Sequence, residues 1–458
     1  MKVLFLSSEV APFAKTGGLA DVAGTLPSAL AEKGLEVIIT LPKYRGIKGK
    51  TSKIGKVKVY FIENDIFFDR KYLYGGMRGD YPDNLKRFAF YCRQSLALAK
   101  KIKFKPDIIH CNDWQTALIP LYLKSMKKHD FFFKKSKTIF SIHNLAYQGL
   151  FPRAQLSFTG LKNDTFCQKA LEYYGKINLM KGGLIGADVL TTVSQTYSKE
   201  IATREYGCGF EKILFGRRRD LFGILNGIDY LLWNPETDKN IYENYNVKNL
   251  SRKKNNKAAL QKETGLAVNK DVPLLGIISR LAYQKGLDLL AEIVKPLLAR
   301  GAQLILLGTG EKKYHDVFLK IAGGKYKKNV SINLKFDAVL ANKIYAASDI
   351  FLMPSRYEPC GLGQLISMKY GTIPVARATG GLADTVIDFN KNPKRGTGFI
   401  FKQASSSAFL RATERALKVY QNKKRWLNLM KRVMNKDFSW DKSAVKYIKL
   451  YKKTLISS

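Results

Sequence analysis

The sequence has few histidines, few acidic residues and no paired cysteines. Its 458 residues include 4 His and 37 Asp or Glu against 78 Lys or Arg. The 5 cysteines are odd in number and scattered, without a Cys-x-x-Cys pair. This pattern argues against a disulfide framework and a structural zinc site, and it fits a reducing cytosol. No apolar run approaches the ~18–20 residues of a membrane helix, so we expect no membrane span.

The amino-terminal apolar stretch is short. Val3–Leu6 is followed at once by Ser7, Ser8 and Glu9, and such a run is too short for the apolar core of a secretory signal peptide. We therefore predict a buried first strand there, and a cytoplasmic protein. Hydrophobic residues make up 46% of the sequence and aromatic residues 12%, enough to bury full cores, so a disordered chain is excluded.

Positive charge is what the sequence has in excess. The formal net charge is +41, which at face value indicates an anionic partner. However, +28 of it falls in a few basic segments. These segments are Lys43–Lys58, Lys124–Lys137, Lys248–Lys262 and Lys418–Lys453. We interpret them as solvated faces with weak anion binding as a secondary effect. Apart from Phe131–Phe133, Tyr447 and Tyr451, they lack aromatic residues spaced for base stacking.

Short apolar runs alternate with helical patterns along the chain. The predicted strands are Lys2–Leu6, Val37–Leu41, Ile108–Cys111, Thr138–Ile142, Val189–Val193, Leu274–Ile278, Gln303–Leu307, Ile350–Met353, Ile373–Ala376 and Gly398–Ile400. The predicted helices include Leu19–Glu32, Leu287–Leu298, Ala338–Ala347, Leu362–Lys369 and Trp440–Leu455. Several strands are apolar on both faces, as in parallel sheets covered by helices on each side. The alternation predicts a doubly wound α/β fold.

The chain divides near Trp233–Lys262, where the alternation is interrupted. Two similar glycine loops, Lys15–Val22 and Ala378–Val386, lie on either side of this break. They predict two Rossmann-like halves with a cleft between the carboxyl ends of their strands. We place an N-terminal Rossmann-like domain at residues 1–240 and a C-terminal one at 241–435. Residues 436–458 form a helix that we expect to pack back towards the N-terminal domain.

Two loops carry cations at positions suited to phosphate. Thr16-Gly17-Gly18 precedes a helix, where backbone N–H groups attract anions, and Lys15 lies beside it. An ordinary turn with a solvated lysine explains the same residues equally well. Arg280 and Lys285 follow a strong strand and open a helix, so they can hold a diphosphate from both sides. The alternative is a pair of surface charges. No P-loop or well-placed dinucleotide fingerprint occurs.

The segment Pro354–Leu362 is the pattern that most specifically indicates a functional site. Glu358 lies between a buried strand and a glycine-opened helix, where it could hold sugar hydroxyls or a developing positive charge, or simply be a solvated loop carboxylate. Cys360 is a small pocket residue rather than a nucleophile, because no histidine lies near it in sequence to activate it.

His143 begins another strand-end loop, where α/β proteins place ligand contacts, with a structural histidine as the alternative.

Together these strings resemble one known family over nearly the whole chain. They are KTGGLADV, YPDNLKRF, NDWQT, IHNLAYQG, TTVSQTYSKEI, GILNGID, SRLAYQKGLDLL, PSRYEPCGLGQL and TGGLADTV. Their order and spacing are similar to those of bacterial glycogen synthases and plant starch synthases. The resemblance implies the GT-B fold, with two Rossmann-like doubly wound domains facing across a cleft. It also implies that the N-terminal domain carries the acceptor side and catalytic loops, and that the C-terminal domain binds the nucleotide sugar.

The resemblance also implies a reaction. It is transfer of glucose from ADP-glucose to the non-reducing end of an α-1,4-glucan such as glycogen, with retained anomeric configuration. The implied enzyme is a retaining hexosyltransferase that uses no cofactor or metal and has no specific nucleic-acid or membrane partner. Its implied catalytic residues are Arg280, Lys285, Glu358, His143 and Asp113. Its implied substrate-binding residues are Lys15, Gly17, Gly18, Asp21, Asn144, Asn226, Phe336, Cys360, Gly361, Leu362, Thr379, Gly380 and Gly381.

Each residue has an implied role. Lys15 and the Gly17–Gly18 backbone would meet the donor phosphates, while Arg280 and Lys285 would clamp the diphosphate. The amides of residues 379–381 would also face the donor. The glucose would be surrounded by His143, Asn144 and Asn226, lined by Asp21 and Asp113, and held by Glu358 with the amides of Cys360 and Gly361. Phe336 would pack near the adenine.

Some residues depart from the family pattern. Gly363 stands where threonine is usual, Lys335 where glycine is common, and Ile366 where many GT-B enzymes carry a second glutamate. Two other readings stay open at this point. One is a GT-B enzyme that uses UDP-glucose or works at a membrane surface. The other is a binding protein, either for nucleic acid or a catalytically silent glucan binder.

Overall fold

The computed structural model describes residues 1–76, 79–126 and 130–456. Its internal contacts divide the chain into two units, Met1–Gly227 with Trp440–Ser458, and Ile228–Ser439. The predicted boundaries differ from these. The first was predicted after residue 240 instead of residue 227, and the second before residue 436 instead of residue 440. Residues 127–129 of the basic segment Lys124–Lys137 lie outside the described residues, as do 457 and 458 of the predicted terminal helix.

The first unit alternates strands and helices. Its strands are β1 (Lys2–Leu6), β2 (Glu36–Pro42), β3 (Thr51–Ile54), β4 (Val57–Ile62), β5 (Gly75–Gly76), β6 (Gly79–Asp80), β7 (Ile108–Asn112), β8 (Lys137–Ile142), β9 (Leu150–Pro152), β10 (Glu172–Tyr173), β11 (Lys176–Asn178), β12 (Val189–Thr192) and β13 (Leu221–Gly223). Its helices are α1 (Gly18–Glu32), α2 (Asp65–Phe68), α3 (Asn84–Lys101), α4 (Leu118–Met126), α5 (Leu179–Gly186), α6 (Gln195–Glu200) and α7 (Glu211–Gly216). Short 3-10 turns cover Trp114–Thr116, Arg153–Thr159 and Asn163–Thr165.

The main sheet of this unit has the strand order β13-β12-β8-β7-β1-β2-β4-β3. Its strand pairs are parallel except for β3 with β4. The order of the chain reverses between β1 and β7, which makes their carboxyl ends a topological switch point. In open α/β sheets, ligands bind at such points. The residues after β1, β7 and β8 are therefore the first place to look for a site.

The sheet forms because its central strands are apolar on both faces. Val3, Leu4, Phe5 and Leu6 of β1 are completely buried. On α1, the buried residues Leu19, Val22, Leu26 and Leu30 recur at helical spacing and give one apolar side. Such burial removes roughly 25 cal/mol of unfavourable hydration per Å² of apolar surface.

The terminal helix Trp440–Ile456 belongs to the first unit. Its buried Tyr451 hydroxyl lies 2.6 Å from Nδ1 of His110, inside the sheet. Ser443 donates a hydrogen bond to the carbonyl of Leu225. These contacts attach the end of the chain to the N-terminal sheet, as the sequence led us to expect.

The second unit has the same kind of architecture. Its strands are β14 (Leu274–Ile278), β15 (Gln303–Leu307), β16 (Val330–Asn333), β17 (Ile350–Met353), β18 (Ile373–Arg377) and β19 (Phe399–Phe401). Its helices are α8 (Lys253–Glu263), α9 (Leu287–Ala299), α10 (Lys312–Ala322), α11 (Ala338–Ala347), α12 (Gly363–Lys369), α13 (Gly380–Thr385), α14 (Ser406–Gln421) and α15 (Lys423–Met434), with 3-10 turns at Leu250–Arg252 and Tyr283–Lys285. The last helix of the chain is α16 (Trp440–Ile456).

The parallel sheet of the second unit has the order β16-β15-β14-β17-β18-β19. The chain order reverses between β14 and β17, so the switch point lies beside Ser279 and Pro354. The predicted doubly wound α/β architecture is confirmed in both units. No helix of the described residues is long and apolar enough to cross a membrane.

One expectation about the basic segments is wrong. Lys253 and Lys257 of α8 are buried, at 4% and 2% exposure, rather than solvated. Lys253 Nζ donates to the carbonyls of Tyr345 and Ala346 and to the hydroxyl of Thr372. Lys257 Nζ lies 2.7 Å from Asp349 Oδ2. These two lysines satisfy buried acceptors, including carbonyls in the last turn of α11.

Candidate active site

In the first unit, the loop after β1 surrounds a buried carboxylate. Glu9 follows β1 by three residues and is 4% exposed. Its Oε2 accepts from the backbone amides of Thr16 and Gly17 at 2.6 and 3.1 Å, and its Oε1 accepts from the hydroxyls of Thr16 and Tyr74 at 2.6 and 2.8 Å. The sequence analysis assigned no role to Glu9 or Tyr74. The pattern that could have found Glu9 is its place after a buried strand at the switch point.

The predicted phosphate loop lies directly on this carboxylate. Lys15 Nζ is 2.6 Å from Asp21 Oδ1 in the first turn of α1, and burial raises the pKa of Asp21 while Lys15 opposes that rise. Gly17 and Gly18 are exposed, and a Cβ at either would meet nothing within 4 Å. The Gly17 amide is already donated to Glu9. The structure therefore brings Lys15, Gly17, Gly18 and Asp21 together.

Asp113 and His143 meet where the adjacent strands β7 and β8 end. Asp113 Oδ1 accepts from the backbone amide of His143 at 2.8 Å. Asp113 has a φ of 56°, an uncommon conformation for a residue with a side chain, of the kind that clusters at functional sites. Burial raises its pKa to about 7. This carboxyl is therefore partly protonated at neutral pH.

His143 is held as a neutral ring. Its Nε2 lies 2.9 Å from Asn112 Oδ1, while Asn112 Nδ2 donates to the carbonyl of Leu6. Because Asn112 Oδ1 can only accept, Nε2 of His143 carries the proton and Nδ1 keeps its lone pair. Burial lowers the pKa of His143 to about 4. The ring can accept a hydrogen bond from a sugar hydroxyl through Nδ1, but it is a poor acid at neutral pH.

Two predicted asparagines also lie in this unit. Asn144 follows His143, and its Oδ1 accepts from the amide of Ala146 within the loop. Asn226 is 7% exposed, and its Oδ1 has no hydrogen-bond partner in the part of the chain that the structure describes. A buried amide oxygen without a partner costs about 1–3 kcal/mol, so a ligand donor there would be favourable.

In the second unit, a cavity opens at the switch point. Its volume is about 190 Å³. The predicted residues that line it are Arg280, Lys285, Glu358, Gly361 and Leu362. Gly286 helps to shape the loop: its φ is 66°, and a Cβ would lie 2.2 Å from the carbonyl oxygen of Pro354. The strands that end here thus bring two cations and one carboxylate to one cavity.

The cations of this cavity are held in place. Lys285 Nζ lies 2.6 Å from Glu358 Oε2, and the buried hydroxyl of Ser355 donates to the same oxygen at 2.8 Å. Arg280 Nη2 donates to Gln284 Oε1 at 3.2 Å. Ser355 and Gln284 were not predicted as site residues. Both contacts are local, because Gln284 lies four residues from Arg280 and Ser355 three residues from Glu358, so the sequence could have indicated them.

The second glycine loop packs against the Glu358 loop. Gly381 donates its amide to the carbonyls of Glu358 and Pro359 at 3.1 Å. A Cβ on Gly380 would lie 1.9 Å from the carbonyl oxygen of Glu358, and one on Gly381 would lie 2.0 Å from that of Cys360. Gly380 and Gly381 therefore allow close backbone packing, which the sequence did not reveal, and the preceding Thr379 is buried.

The remaining predicted residues of this unit are more scattered. Cys360 is buried at 5% exposure, and its carbonyl accepts from the buried Gln364 side chain at 3.0 Å. Phe336 is 86% exposed, next to the residue that caps α11, and it does not line the cavity. Gly363 does line it, and a Cβ there would meet Phe351 at 3.0 Å and the Tyr345 hydroxyl at 3.4 Å.

No group of three or more His, Cys, Asp or Glu side chains that could hold a metal ion occurs within residues 1–76, 79–126 and 130–456. Two of the charged side chains that line the cavity in the second unit, Arg280 and Lys285, are cations, which can bind phosphate oxygens directly. A doubly wound sheet with cations and a carboxylate at its switch point is typical of proteins that bind phosphorylated ligands.

Comparisons with known proteins agree with this class. Residues 2–215 match the family model of the starch synthase catalytic domain, and residues 260–431 match that of glycosyl transferases group 1. Glycogen synthase 2 of Geobacter sulfurreducens is 49% identical over 477 residues, which cover 99% of this chain and 98% of that protein.

Solved structures give the same result. The catalytic domain of Starch Synthase IV from Arabidopsis thaliana, bound to ADP and acarbose, superposes with a TM-score of 0.90 at 36% identity and covers 99% of each chain. The sucrose-phosphate synthase of Thermosynechococcus elongatus shares the fold alone, with a TM-score of 0.65 at 17% identity over 100% of each chain.

The fold and the matching models define a GT-B glycosyltransferase. More particularly, the chain belongs to the glycogen and starch synthase family and is a glucosyltransferase. The family resemblance and the fold class predicted from the sequence are both confirmed.

Proposed function

We propose that the protein transfers glucose from ADP-glucose to the non-reducing end of an α-1,4-glucan, with retention of the anomeric configuration. The observation that carries the proposal is the cavity in which Arg280, Lys285 and Glu358 meet at the strand ends of the second unit. The relative from Arabidopsis thaliana binds ADP and acarbose, which supports an adenine nucleotide as leaving group and a glucan as acceptor.

The leaving group sets the main chemical demand. As ADP departs, negative charge accumulates on its phosphate oxygens, and fixed cations stabilise that charge most effectively in a site that excludes water. Arg280 and Lys285 supply two such cations, and Lys285 is already held by Glu358. The proposal includes no metal ion or other cofactor, because these side chains can neutralise the diphosphate.

Glu358 is the group proposed to act on the sugar. Its Oε2 is engaged by Lys285 and Ser355, so the carboxylate is fixed before any ligand arrives. We expect the acceptor hydroxyl to attack from the same face that the diphosphate leaves, through an oxocarbenium-like state. The departing phosphate would take the proton of that hydroxyl. Glu358 would hold the glucose and stabilise the developing positive charge.

The first unit supplies the other predicted contacts. Lys15 is assigned to phosphate oxygens, and His143, Asn144 and Asn226 are assigned to the glucose. The neutral His143 ring suits this role, since its Nδ1 can accept a hydrogen bond from a sugar hydroxyl. Asp21 and Asp113 are assigned to the sugar side.

Product analysis tests this proposal. The purified protein would be incubated with ADP-glucose and maltohexaose that carries a fluorophore at its reducing end. We expect products longer by single glucose units that an exo-acting α-glucosidase shortens again, while a β-glucosidase leaves them intact. A chain that does not grow would contradict glucan synthesis. An added glucose that only the β-glucosidase removes would contradict retention.

A further inference from the structure

A carboxylate of the protein itself fills the anion-binding position of the loop at residues 15–18. Glu9 Oε2 accepts from two successive backbone amides, those of Thr16 and Gly17. Successive N–H groups that point to one spot form a concavity that binds anions such as phosphate. Here that concavity holds Glu9, which lies on the amino-terminal side of α1 and is 4% exposed.

The hydrogen-bond partners of the Glu9 carboxylate among the described residues are all donors. Besides the two amides, its Oε1 accepts from Thr16 Oγ1 at 2.6 Å and from the Tyr74 hydroxyl at 2.8 Å. Tyr74 in turn lies 2.8 Å from the hydroxyl of Ser8, and burial raises its pKa well above the ordinary value, so it stays a donor. The carboxylate thus ties together β1, the loop and a second loop at residue 74.

Lys15 is the neighbour that this arrangement orients. It immediately precedes Thr16, whose amide and hydroxyl are both bound to Glu9. Its own side chain is half exposed and reaches Asp21 at 2.6 Å. With Thr16 and Gly17 fixed, the backbone that carries Lys15 has one conformation, whereas a free glycine-containing loop would sample many.

We propose that Glu9 is a positioning residue that fixes the loop at residues 15–18 for Lys15. Because Glu9 occupies the amides of Thr16 and Gly17, the contact of this loop with the donor phosphates is made by the Lys15 ammonium and not by those amides. This inference rests on the proposed function, and it deepens that function by making the Lys15 ammonium the charged group through which this loop contacts phosphate. Glu9 itself touches neither donor nor acceptor.

The two carboxylate oxygens of Glu9 have different kinds of partner, so different substitutions keep or lose different hydrogen bonds. Oε2 faces two N–H groups, which can only donate, whereas Oε1 faces two hydroxyls, which can also accept. In Glu9→Gln the carbonyl oxygen can therefore keep the two amides while the NH₂ group donates to the hydroxyls. Glu9→Ala loses all four bonds, and Glu9→Asp, shorter by one methylene, cannot span the amides and the hydroxyls together.

The test compares kcat and the KM values for ADP-glucose and glycogen in Glu9→Ala, Glu9→Asp, Glu9→Gln and Lys15→Ala. Glu36→Ala is the matched control, because Glu36 is an exposed carboxylate of the same unit that pairs only with Lys2 among the described residues. We expect Glu9→Ala and Glu9→Asp to lose about 100-fold in kcat, since small displacements of a catalytic group have effects of this size. Glu9→Gln should stay within about threefold of the wild type, and the KM for glycogen should change little.

A double variant separates positioning from general destabilisation. If Glu9 acts through Lys15, then Glu9→Ala combined with Lys15→Ala is no slower than Lys15→Ala alone. A double variant whose loss in kcat is the product of the two single losses would overturn the proposal. A Glu9→Ala variant with a kcat within threefold of the wild type would overturn it too. A Glu9→Gln variant as slow as Glu9→Ala would show that the charge acts on the substrate directly, which also overturns it.

The test of the Glu9 proposal can still be decided if the Glu9→Ala variant fails to fold. Should near-ultraviolet circular dichroism show that Glu9→Ala is unfolded, Glu9→Asp takes its place, and equal rates for Glu9→Asp and Glu9→Gln overturn the proposal. A wild-type protein and Glu36→Ala control that both fail to transfer glucose from ADP-glucose would instead refute the proposed function.

Discussion

Lys285 Nζ and Glu358 Oε2 lie 2.6 Å apart in the second unit, and both side chains line its cavity. Glu358 is buried, at 6% exposure, so the pair is more than a surface ion pair of little energetic weight. The lysine that is proposed to bind phosphate and the carboxylate that is proposed to hold the sugar therefore fix each other. Removing either partner leaves the other unpaired, so each variant should be checked for folding beside its activity.

Replacing Lys285 tests the diphosphate clamp. Lys285→Ala should lower kcat by about 100-fold to 1,000-fold, because it removes a cation from the charge that develops on the leaving phosphate. Lys295→Ala, which removes an exposed lysine of α9, should leave kcat unchanged. Steady-state rates with ADP-glucose and glycogen measure both. Near-normal turnover in folded Lys285→Ala protein would refute the clamp.

Replacing Glu358 separates transfer from nucleotide binding. Glu358→Gln keeps an acceptor for Lys285 and Ser355 but removes the negative charge, so kcat should fall by about 100-fold. The Kd for ADP should stay the same or decrease, because Lys285 is no longer neutralised. Titration calorimetry with ADP beside the transfer assay gives both numbers. An unchanged kcat would remove the assigned role of Glu358.

Asp113 and His143 make opposite contributions to stability between about pH 4 and 6.5. Burial raises the pKa of Asp113 to about 7, above its unfolded value of ~3.9. Its stabilising contribution is therefore full below ~3.9 and is lost as the pH rises through about 7. Burial lowers the pKa of His143 to about 4, below its unfolded ~6.5. Its contribution is full above ~6.5 and is lost as the pH falls through about 4.

Asp113→Asn should reveal how the free energy of unfolding depends on pH when His143 titrates without Asp113. Asparagine can still accept from the His143 amide and tolerates a positive φ, but it does not titrate. Relative to the wild type, the free energy of unfolding of Asp113→Asn should rise by about 2–4 kcal/mol between pH 4 and pH 7.5. Urea unfolding at both pH values measures this, with the exposed Asp69→Asn as control. A difference that does not change with pH would contradict the raised pKa of Asp113.

Lys253 should stabilise the second unit through its hydrogen bonds. Lys253→Ala removes three buried hydrogen bonds, to the carbonyls of Tyr345 and Ala346 and to the hydroxyl of Thr372, and we expect the free energy of unfolding to fall by about 2–4 kcal/mol. Its neighbour Lys254 has a side chain 59% exposed, so Lys254→Ala should cost less than about 0.5 kcal/mol. Chemical denaturation of both variants checks this. Equal effects would show that Lys253 is as dispensable as a surface lysine.

The central strands and the loops that follow them were predictable from the sequence. Lys2–Leu6, Leu274–Ile278 and Ile350–Met353 are apolar on both faces, and their observed bounds equal the predicted ones. Polar residues in the loops that follow such strands, among them Asp113, Arg280 and Glu358, indicate a site because parallel strands end at one edge.

The partners of these residues were not predictable in the same way. Glu9 meets Tyr74 across 65 positions, and Lys285 meets Glu358 across 73, so these contacts exist only once the sheets have formed. Local spacing also did not reveal how closely the second glycine loop packs. Gly380 and Gly381 resemble a ligand loop in sequence, and in the structure a Cβ on either would lie 1.9 or 2.0 Å from a carbonyl oxygen. Nor did the pattern of charges reveal that Lys253 is buried.

The central claim is that the protein transfers glucose from ADP-glucose to a glucan, and its preference between nucleotide sugars tests this claim most directly. The protein would be incubated with glycogen and either ADP-glucose or UDP-glucose, each radiolabelled in the glucose, and label in the polymer would be measured beside the free nucleotide. The account predicts incorporation from ADP-glucose at a rate that matches ADP release, and far slower incorporation from UDP-glucose. Preference for UDP-glucose, or release of ADP without incorporation, would contradict it.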